Sequence, residues 1–412
     1  HRVDRRQRQM CIRDSSWIRL LIIFSIAAVG NVGMWSIVTI MPAIELDFAL
    51  DRSQTSLPYS MTMIGFAIGN LVFGRLLDRF GLFFILMGAT VFIAAGFFVA
   101  TFSTTILIFS LIQFFIGLGT AVSFAPLISD ISHWFKKYRG IAVAVAASGN
   151  YFSGAMSSLI LAETLNNYGW RTVYIILGLA CLVVVLPLGW ILNKDRIDKS
   201  DRSSDKKLEY ISSLKTSHLT YLLGVAGISC CVAMSMPQVH IVSYCVGLGF
   251  GSTVGGQMLS LMLIGGVISR LIFGFVADKL GGIKTLLIGS VLQCLALMLY
   301  LPFDGLVSLY TVSFVFGLSQ GGIVPSYAIV VREFMPSEQA GSKIGFIVMT
   351  TIVGMALGGL LSGWIFDLTQ SYGAAFINGI LWNCLNFAII GFIYFKSNKF
   401  NSYELVTKNN VT

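Results

Sequence analysis

One charged residue lies deep inside an apolar stretch of this sequence and is the strongest candidate for chemistry. Arg270 stands eight residues before Asp278, about 12 Å further along a helix that rises 1.5 Å per residue. Gly266 and Gly274 flank it at a spacing of four residues, so the same helical face has room for a ligand beside the guanidinium. Because a guanidinium can bind both oxygens of a carboxylate, this pattern predicts an anion-binding site.

A second titratable candidate is His240, which lies in an apolar segment together with Tyr244. An imidazole has an unperturbed pKa of about 6.5, so His240 could exchange a proton alongside an anion. The alternative is a hydrogen-bonded helix histidine without a transport duty. Further polar side chains in apolar segments are candidates for the walls of a cavity, although ordinary hydrogen bonding between helices is the alternative for each; they are Asn31, Trp35, Gln113, Asn150, Tyr151 and Gln320.

The composition requires these residues to be held in a lipid bilayer. Of 412 residues, 56% are hydrophobic and 11% are charged, whereas a soluble domain carries roughly 25% charged residues. The seven cysteines lack the spacing of zinc sites or of a disulfide framework. The sequence also lacks HExxH, GxxxxGK[ST] and a GxSxG elbow. We therefore expect a membrane protein that is not an enzyme and that uses no cofactor and no metal.

Twelve apolar blocks are long enough to cross a hydrocarbon core of about 30 Å as helices. Continuous hydrophobicity over such lengths favours helices over the short alternating strands of a β-barrel. The predicted fold is an all-α membrane protein with twelve spans, at residues 17–42, 55–77, 82–101, 105–129, 140–163, 170–193, 218–247, 253–277, 284–302, 306–331, 343–369 and 372–395.

Basic residues cluster on one side of these spans. The loop at 131–140 and the segment at 194–217 are rich in Lys and Arg, whereas the opposite loops offer only Arg52 and Arg171. The positive-inside rule then places both termini in the cytoplasm, most simply at a bacterial inner membrane. This topology accounts for the net charge of +9, so no nucleic-acid partner is expected.

The same pattern divides the chain into five parts. Residues 17–193 and 218–395 form two six-helix bundles joined by a cytoplasmic linker at 194–217, and residues 396–412 form a cytoplasmic tail. Residues 1–16 form a second tail that starts with His1 rather than Met, which suggests a mis-joined translation with the true start near Met10.

The charge balance around Arg270 favours a bound anion. Glu163, Asp130 and Asp367 fall at the ends of spans, and no second cation lies deep in one. An arginine at the centre of a membrane helix costs roughly 2.5–3.5 kcal/mol on insertion scales, so it needs a partner or a wet cavity. A single carboxylate therefore fits better than two. The alternative is that Arg270 reaches the lipid headgroups or pairs with Asp278.

The two bundles carry an internal repeat at an offset of 200 residues. GRLLDRFG at 74–81 falls on GFVADKLG at 274–281, and the parallel copies imply halves related by an axis along the membrane normal. With this duplicated motif, residues 17–395 resemble the major facilitator superfamily. The resemblance implies a central cavity that opens alternately to each side. It also implies that Asp78 lies near the start of the eleventh span and stabilises the outward-facing state, within a gating motif of Gly74, Asp78, Arg79, Gly81, Gly274, Asp278, Lys279 and Gly281.

The finer likeness is to the branch of monocarboxylate transporters and oxalate/formate antiporters. SRLIFGFVADKLGG around Arg270, HWFKKYRGIAVAVAASGNYFSGA from residue 133 and the Tyr168-Gly169-Trp170-Arg171 sequence all look like this branch. The resemblance implies that Arg270 binds the substrate carboxylate. The sequence departs from the branch at Gly266, where animal members have aspartate, and in lacking their first-span lysine and the antiporter's eleventh-span lysine.

The expected function is therefore secondary active transport of a small organic anion by alternating access, and a monocarboxylate is the favoured substrate. Transport is coupled to protons or to exchange of another anion, and the carrier acts as a monomer in the lipid bilayer. The alternatives are a carrier of a dicarboxylate, of an inorganic anion such as nitrate or of a neutral sugar or drug, and a membrane receptor that transports nothing.

Overall fold

The protein is built from long helices. A computed structural model describes the backbone of residues 2–135, 139–194, 216–335 and 337–409, and the side chains of residues 16–77, 79–131, 134–135, 141–193, 216–335 and 342–396. The described backbone contains no strand. Its α-helices are Arg2–Gly30, Val32–Phe48, Arg52–Phe80, Leu82–Ala100, Ile106–Thr120, Ala125–Trp134, Arg139–Ala180, Leu186–Lys194, Thr216–Gly247, Ser252–Leu280, Gly282–Leu299, Leu306–Gln320, Ile323–Phe334, Ser337–Thr369 and Tyr372–Asn409.

These helices give twelve spans. Eleven apolar helical stretches in the described chain are long enough to cross a membrane, and one of them, Ile141–Asn193, has 53 residues. Gly169 breaks this stretch with φ 78° and ψ 169°, so the fifth span ends before Gly169 and the sixth begins after it. The predicted twelve-span, two-bundle fold is confirmed.

Several spans differ in detail from the predicted blocks. The first span continues through Pro42 to Phe48 and is interrupted at Asn31. The fourth span breaks at Phe124, where φ is −121° and ψ is −85°, directly before Ala125-Pro126. The tenth span breaks at Gly321-Gly322. Hydropathy reports only the apolar length of a span, so these interruptions, two of which lie at Ala125-Pro126 and Gly321-Gly322, do not show in the predicted block boundaries.

Glycines set the packing of helices within each half, and equivalent glycine contacts occur 200 residues apart in the two halves. Gly117 of the fourth span lies so close to the second span that a Cβ would overlap the Thr62 carbonyl oxygen. Gly317 of the tenth span meets the Met262 carbonyl of the eighth in the same way. Backbones this close leave no room for a side chain, which is how membrane helices gain packing contacts without a hydrophobic driving force.

The repeated motif ends in a turn that only glycine adopts readily. Gly81 has φ 77° and ψ 164°, and Gly281 has φ 82° and ψ 165°. Each residue donates its N–H to the carbonyl four residues earlier, Leu77 or Ala277. The positive φ explains why both copies of the motif finish with glycine.

The two halves touch at one end of the bundle and separate at the other. We call the end with residues 49–51 and 248–251 the loop end, and the end with residues 81, 281, 194 and 216 the linker end. At the loop end, Gly363 packs on the Arg52 carbonyl and Ser56 of the second span, and Gly256 packs on the Ser158 carbonyl of the fifth.

Residues 18 positions away lie five helical turns along the same face, toward the linker end. There, a Cβ on Gly74, Gly274 or Gly345 would meet no atom within 4 Å. These three positions match Ser56, Gly256 and Gly363 on the second, eighth and eleventh spans. The space between the halves therefore opens toward the linker end.

We expect Gly117→Ala and Gly317→Ala to destabilise the protein, because each new methyl group collides with a carbonyl of the neighbouring helix. The free energy of unfolding should fall by about 1–3 kcal/mol. Thermal unfolding in detergent measures the effect. The controls are Gly88→Ala and Gly391→Ala, where nothing lies within 4 Å of the new Cβ; equal melting temperatures for all four variants would contradict the packing argument.

Candidate functional site

Arg270 lies where the interface between the halves begins to open. It stands ten residues before the end of the eighth span at Leu280, about 15 Å from the linker end. One helical turn toward the loop end, Gly266 packs against the Tyr151 ring, and one turn toward the linker end, Gly274 faces open space. The side chain is partly exposed. Its position is therefore the inner limit of the opening.

The Arg270 guanidinium is held by neutral groups of both halves. Nε donates to the Gly321 carbonyl at 3.2 Å, at the break in the tenth span. Nη1 donates to the Ala147 carbonyl of the fifth span, across the interface. The guanidinium carbon lies 3.9 Å from the centre of the Tyr151 ring, a cation–π contact. These contacts orient the charge without neutralising it.

No carboxylate of the described side chains forms an ion pair with Arg270. The ion pairs described are Arg19–Asp130, Arg52–Glu45 and Arg171–Asp47, and each lies near the ends of spans. Asp278 is exposed two turns further toward the linker end. The Arg270 charge thus faces the opening without an acidic partner among these residues.

The Tyr151 ring rests on a chain of buried contacts in the N-terminal half. Tyr151 packs edge-on against Trp35, with ring centres 5.9 Å apart. Trp35 donates its indole N–H to Asn150 Oδ1 at 2.9 Å, and Asn150 Nδ2 donates to Asn31 Oδ1 at 3.3 Å. Asn31 in turn donates to the carbonyls of Ala27 and Ser123. Asn31, at the interruption of the first span, therefore fixes Asn150 and, through it, the Trp35 indole against which Tyr151 packs.

Gln320 lies beside the arginine site, and sequence reasoning missed its partner. Gln238 of the seventh span donates Nε2 to Gln320 Oε1 at 2.9 Å, and both side chains are fully buried. Gln320 directly precedes Gly321, whose carbonyl holds Arg270. Gln238 lies two residues before His240 in an apolar segment, so the rule that selected Gln320 also applied to it.

Gln113 lies apart from this group, inside the N-terminal half. It accepts a hydrogen bond from Thr62 at 3.2 Å and donates to the hydroxyl of Tyr174. The side chain has no exposed surface. These contacts join the second, fourth and sixth spans.

His240 and Tyr244 lie nearer the loop end, away from Arg270. One ring nitrogen of His240 is 2.9 Å from the Gly359 carbonyl, and the other is 3.5 Å from the Tyr372 hydroxyl. Tyr244 packs on Tyr372 and Phe376. His240 is buried, with 1% of its surface exposed, so in this conformation it contacts the eleventh and twelfth spans rather than the opening.

The gating motif lies at the linker end, where the halves are apart. Asp278 and Lys279 are exposed, and the Arg79 guanidinium lies 5.2 Å from the Phe80 ring centre. The side chain of Asp78 is outside the described residues, so its predicted contact with the eleventh span stays a prediction. Gly74 and Gly274 face open space.

The structure brings one group of the predicted residues together. Arg270, Tyr151, Trp35, Asn150 and Asn31 form one continuous group, with Gln320 adjoining it, whereas Gln113, His240, Tyr244 and the gating motif lie elsewhere. In the described part of the chain, no group of three or more His, Cys, Asp or Glu side chains could hold a metal ion. The chemistry that the central group offers is recognition of an anion by a cation over an aromatic ring.

Comparison with known proteins assigns the fold to a family. A family model described as Major Facilitator Superfamily matches residues 23–342 and 247–408. The chain belongs to this superfamily. The solved structure of a bacterial homologue of the human lysosomal transporter Spinster, in an inward-facing and unoccupied conformation, has a TM-score of 0.70 at 12% identity, covering 94% of this chain and 98% of that one. The nucleoside transporter NupG has a TM-score of 0.68 at 15% identity, covering 92% and 99%.

Relatives in this superfamily match most of the chain. The uncharacterized MFS-type transporter YcxA of Bacillus subtilis (strain 168) is 28% identical, covering 86% of this chain and 90% of that protein. Monocarboxylate transporter 13 of Bos taurus is 24% identical, covering 76% and 75%. The sialic acid transporter NanX of Escherichia coli (strain K12) is 23% identical, covering 86% and 88%. The protein is therefore a multi-pass membrane transporter of small molecules.

We expect Asn150→Leu to destabilise the N-terminal half, because it leaves the Trp35 N–H and Asn31 Oδ1 without these buried partners. The free energy of unfolding should fall by about 1–2 kcal/mol, which thermal unfolding in detergent measures. Asn70→Leu is the matched control, since Asn70 donates only to the Phe66 carbonyl of its own helix. If both variants lost equal stability, the chain of contacts from Asn31 to Tyr151 would not be a structural support.

Proposed function

We propose that this protein is a secondary active transporter of a small organic anion with one carboxylate, and that Arg270 binds this carboxylate. The observation that carries the proposal is a guanidinium without an acidic partner among the described side chains, at the inner limit of the opening between the halves. A superfamily carrier works by alternating access, so a group at this level is reached from either side in turn.

The number of charges supports a monocarboxylate. The other arginines and lysines with described side chains lie near the ends of spans, as Arg19, Arg52 and Lys284 do. A dicarboxylate would therefore carry one negative charge without a deep cation. The guanidinium offers two parallel N–H groups to one carboxylate, and the Tyr151 ring beneath it keeps the guanidinium plane in place.

Two relatives agree with an acidic substrate. The names of the bovine monocarboxylate transporter and the bacterial sialic acid transporter both refer to acids. The likeness to NupG supports the fold alone. We carry the acid over to this chain because Arg270 supplies a matching charge.

Coupling and orientation complete the proposal. With both termini in the cytoplasm of a bacterial inner membrane, the linker end is the inner side, and the opening faces the cell interior. Transport is coupled to protons or to exchange of a second anion, and His240 is the titratable group we propose for proton coupling. The unit that transports is the monomer.

We expect Arg270→Ala to abolish uptake while leaving membrane insertion intact, and Arg270→Lys to retain a reduced activity because an ammonium cannot reproduce the planar fork. Thermal shifts of the purified protein with lactate, pyruvate, succinate, nitrate and glucose identify the ligand class, since a ligand stabilises the state it binds. The variants are then compared by their uptake of the monocarboxylate that gives the largest thermal shift.

Arg332→Ala is the matched control, because it removes the same charge from an exposed position at the end of the tenth span. Normal uptake by Arg270→Ala would contradict the proposal. A thermal shift with succinate, nitrate or glucose but with neither monocarboxylate would transfer the function to that solute. No shift with any of the probes, together with no uptake, would favour a receptor.

For His240→Ala we expect the pH dependence of uptake to disappear. The imidazole is the proposed group that binds and releases a proton during transport. The rate of uptake between pH 5.5 and 8, a window of about one unit or more around an ordinary imidazole pKa, measures the change. An unchanged pH profile would exclude His240 from coupling and leave anion exchange.

A further inference from the structure

The second span begins with a carboxylate that belongs to the other half of the protein. Asp367, near the end of the eleventh span, accepts the N–H of Arg52 at 3.0 Å on one oxygen and the N–H of Ser53 at 2.8 Å on the other. Arg52 and Ser53 are the first two residues of the second span. We call this contact the Asp367 clasp.

The clasp takes the place of an ordinary helix cap. Asp51 occupies the N-cap position of the second span, yet its side chain makes no capping hydrogen bond. The first N–H groups of a helix lack partners within the helix, and the helix dipole favours negative charge there. Asp367 therefore satisfies two of these donors from across the interface between the halves.

The hydrogen bonds described for the Asp367 carboxylate come from backbone N–H groups. The Arg52 guanidinium pairs with Glu45 of its own half and lies 5.5 Å from the Phe366 ring centre. Asp367 forms no ion pair with Arg52 among the described contacts, although the two residues adjoin. Asp367 can therefore stabilise the start of the second span only while this start lies against the end of the eleventh span.

A neutral contact occupies the related position on the opposite side of the interface. Asn166, near the end of the fifth span, donates to Thr253 at 2.7 Å and accepts from Ser252 at 2.8 Å. Ser252 and Thr253 begin the eighth span, 200 residues after Arg52 and Ser53. In both places the end of one span holds the start of a span in the other half.

We propose that the Asp367 clasp is the latch that keeps the loop end closed, with the Asn166 contact as its weaker neutral counterpart. Every bond of the clasp crosses the interface, so it exists only while the loop end is shut. A contact made in one of two conformations biases the equilibrium toward that conformation. Removing the carboxylate shifts the population toward the state that is open at the loop end and closed at the linker end.

Two reporter cysteines on one face of the second span test this shift. The loop-end reporter is Ser56→Cys, which lies under Gly363 where the halves are closed, and the linker-end reporter is Asn70→Cys, 14 residues further along. Cys11, Cys294 and Cys384 are replaced by alanine, which leaves the buried thiols Cys181, Cys230, Cys231 and Cys245. The labelling rate with a water-soluble maleimide is measured on purified protein in detergent.

Asp367→Ala should raise the labelling rate of the loop-end reporter about threefold to tenfold, the scale of a charge at a helix N-terminus, and lower that of the linker-end reporter. Asp367→Asn keeps one acceptor oxygen and should give an intermediate change, which serves if the alanine variant folds poorly. Asn166→Ala should act in the same direction and more weakly. Asp51→Ala is the matched control, because it removes the same charge at the same helix start without touching the other half.

The opposite responses of the two reporters distinguish a latch from local loosening. A rise at the loop-end reporter with an unchanged rate at the linker-end reporter means that the second span merely frays, and it overturns the proposal. Equal rates in Asp367→Ala and Asp51→Ala overturn it as well. The labelling needs no substrate, so its outcome is independent of whether Arg270 binds a carboxylate.

Discussion

The structure depends on a positive charge that the protein holds without neutralising it. Arg270 is bonded to the Gly321 carbonyl of its own half and the Ala147 carbonyl of the other, and it lies over the Tyr151 ring. Carbonyl dipoles and an aromatic face reduce the cost of placing a guanidinium at this depth, yet they leave its net charge in place. The rest of the fold can be understood as the support for that arrangement.

The support is built mainly from glycine and buried amides. Gly266 admits the Tyr151 ring against the eighth span, where a Cβ would come within 2.7 Å of the ring. Asn150 and Asn31 fix the indole on which Tyr151 rests. At the loop end, Gly256 and Gly363 bring the halves into backbone contact, whereas their counterparts at the linker end face space. These glycines therefore set how closely the two halves approach each other along the described helices.

The sequence predicted the fold well because the relevant signals are local. The number of spans follows from the length of apolar runs, and the repeat follows from GRLLDRFG and GFVADKLG at a fixed offset. The depth of Arg270 follows from counting residues along one helix. Contacts between helices were harder to infer, because spacing on one helix does not say which residue of another helix faces it. Tyr151 was predicted only as part of a cavity wall, and Asp367 only as a residue at the end of a span. Gln238 was missed, although its setting resembles that of Gln320.

The hydrogen bond from Arg270 to Ala147 means that a carbonyl oxygen of the protein competes with any bound anion for an N–H group of the guanidinium. On the proposed function, a carboxylate that uses the N–H now donated to Ala147 has to displace that carbonyl oxygen, so the gain in free energy is the difference between two interactions rather than the full strength of one. A small net free energy of binding keeps the affinity moderate, which suits a transporter that must also release its substrate. In that case, the hydrogen bond that joins the two halves at Arg270 and Ala147 is broken when the proposed anion binds.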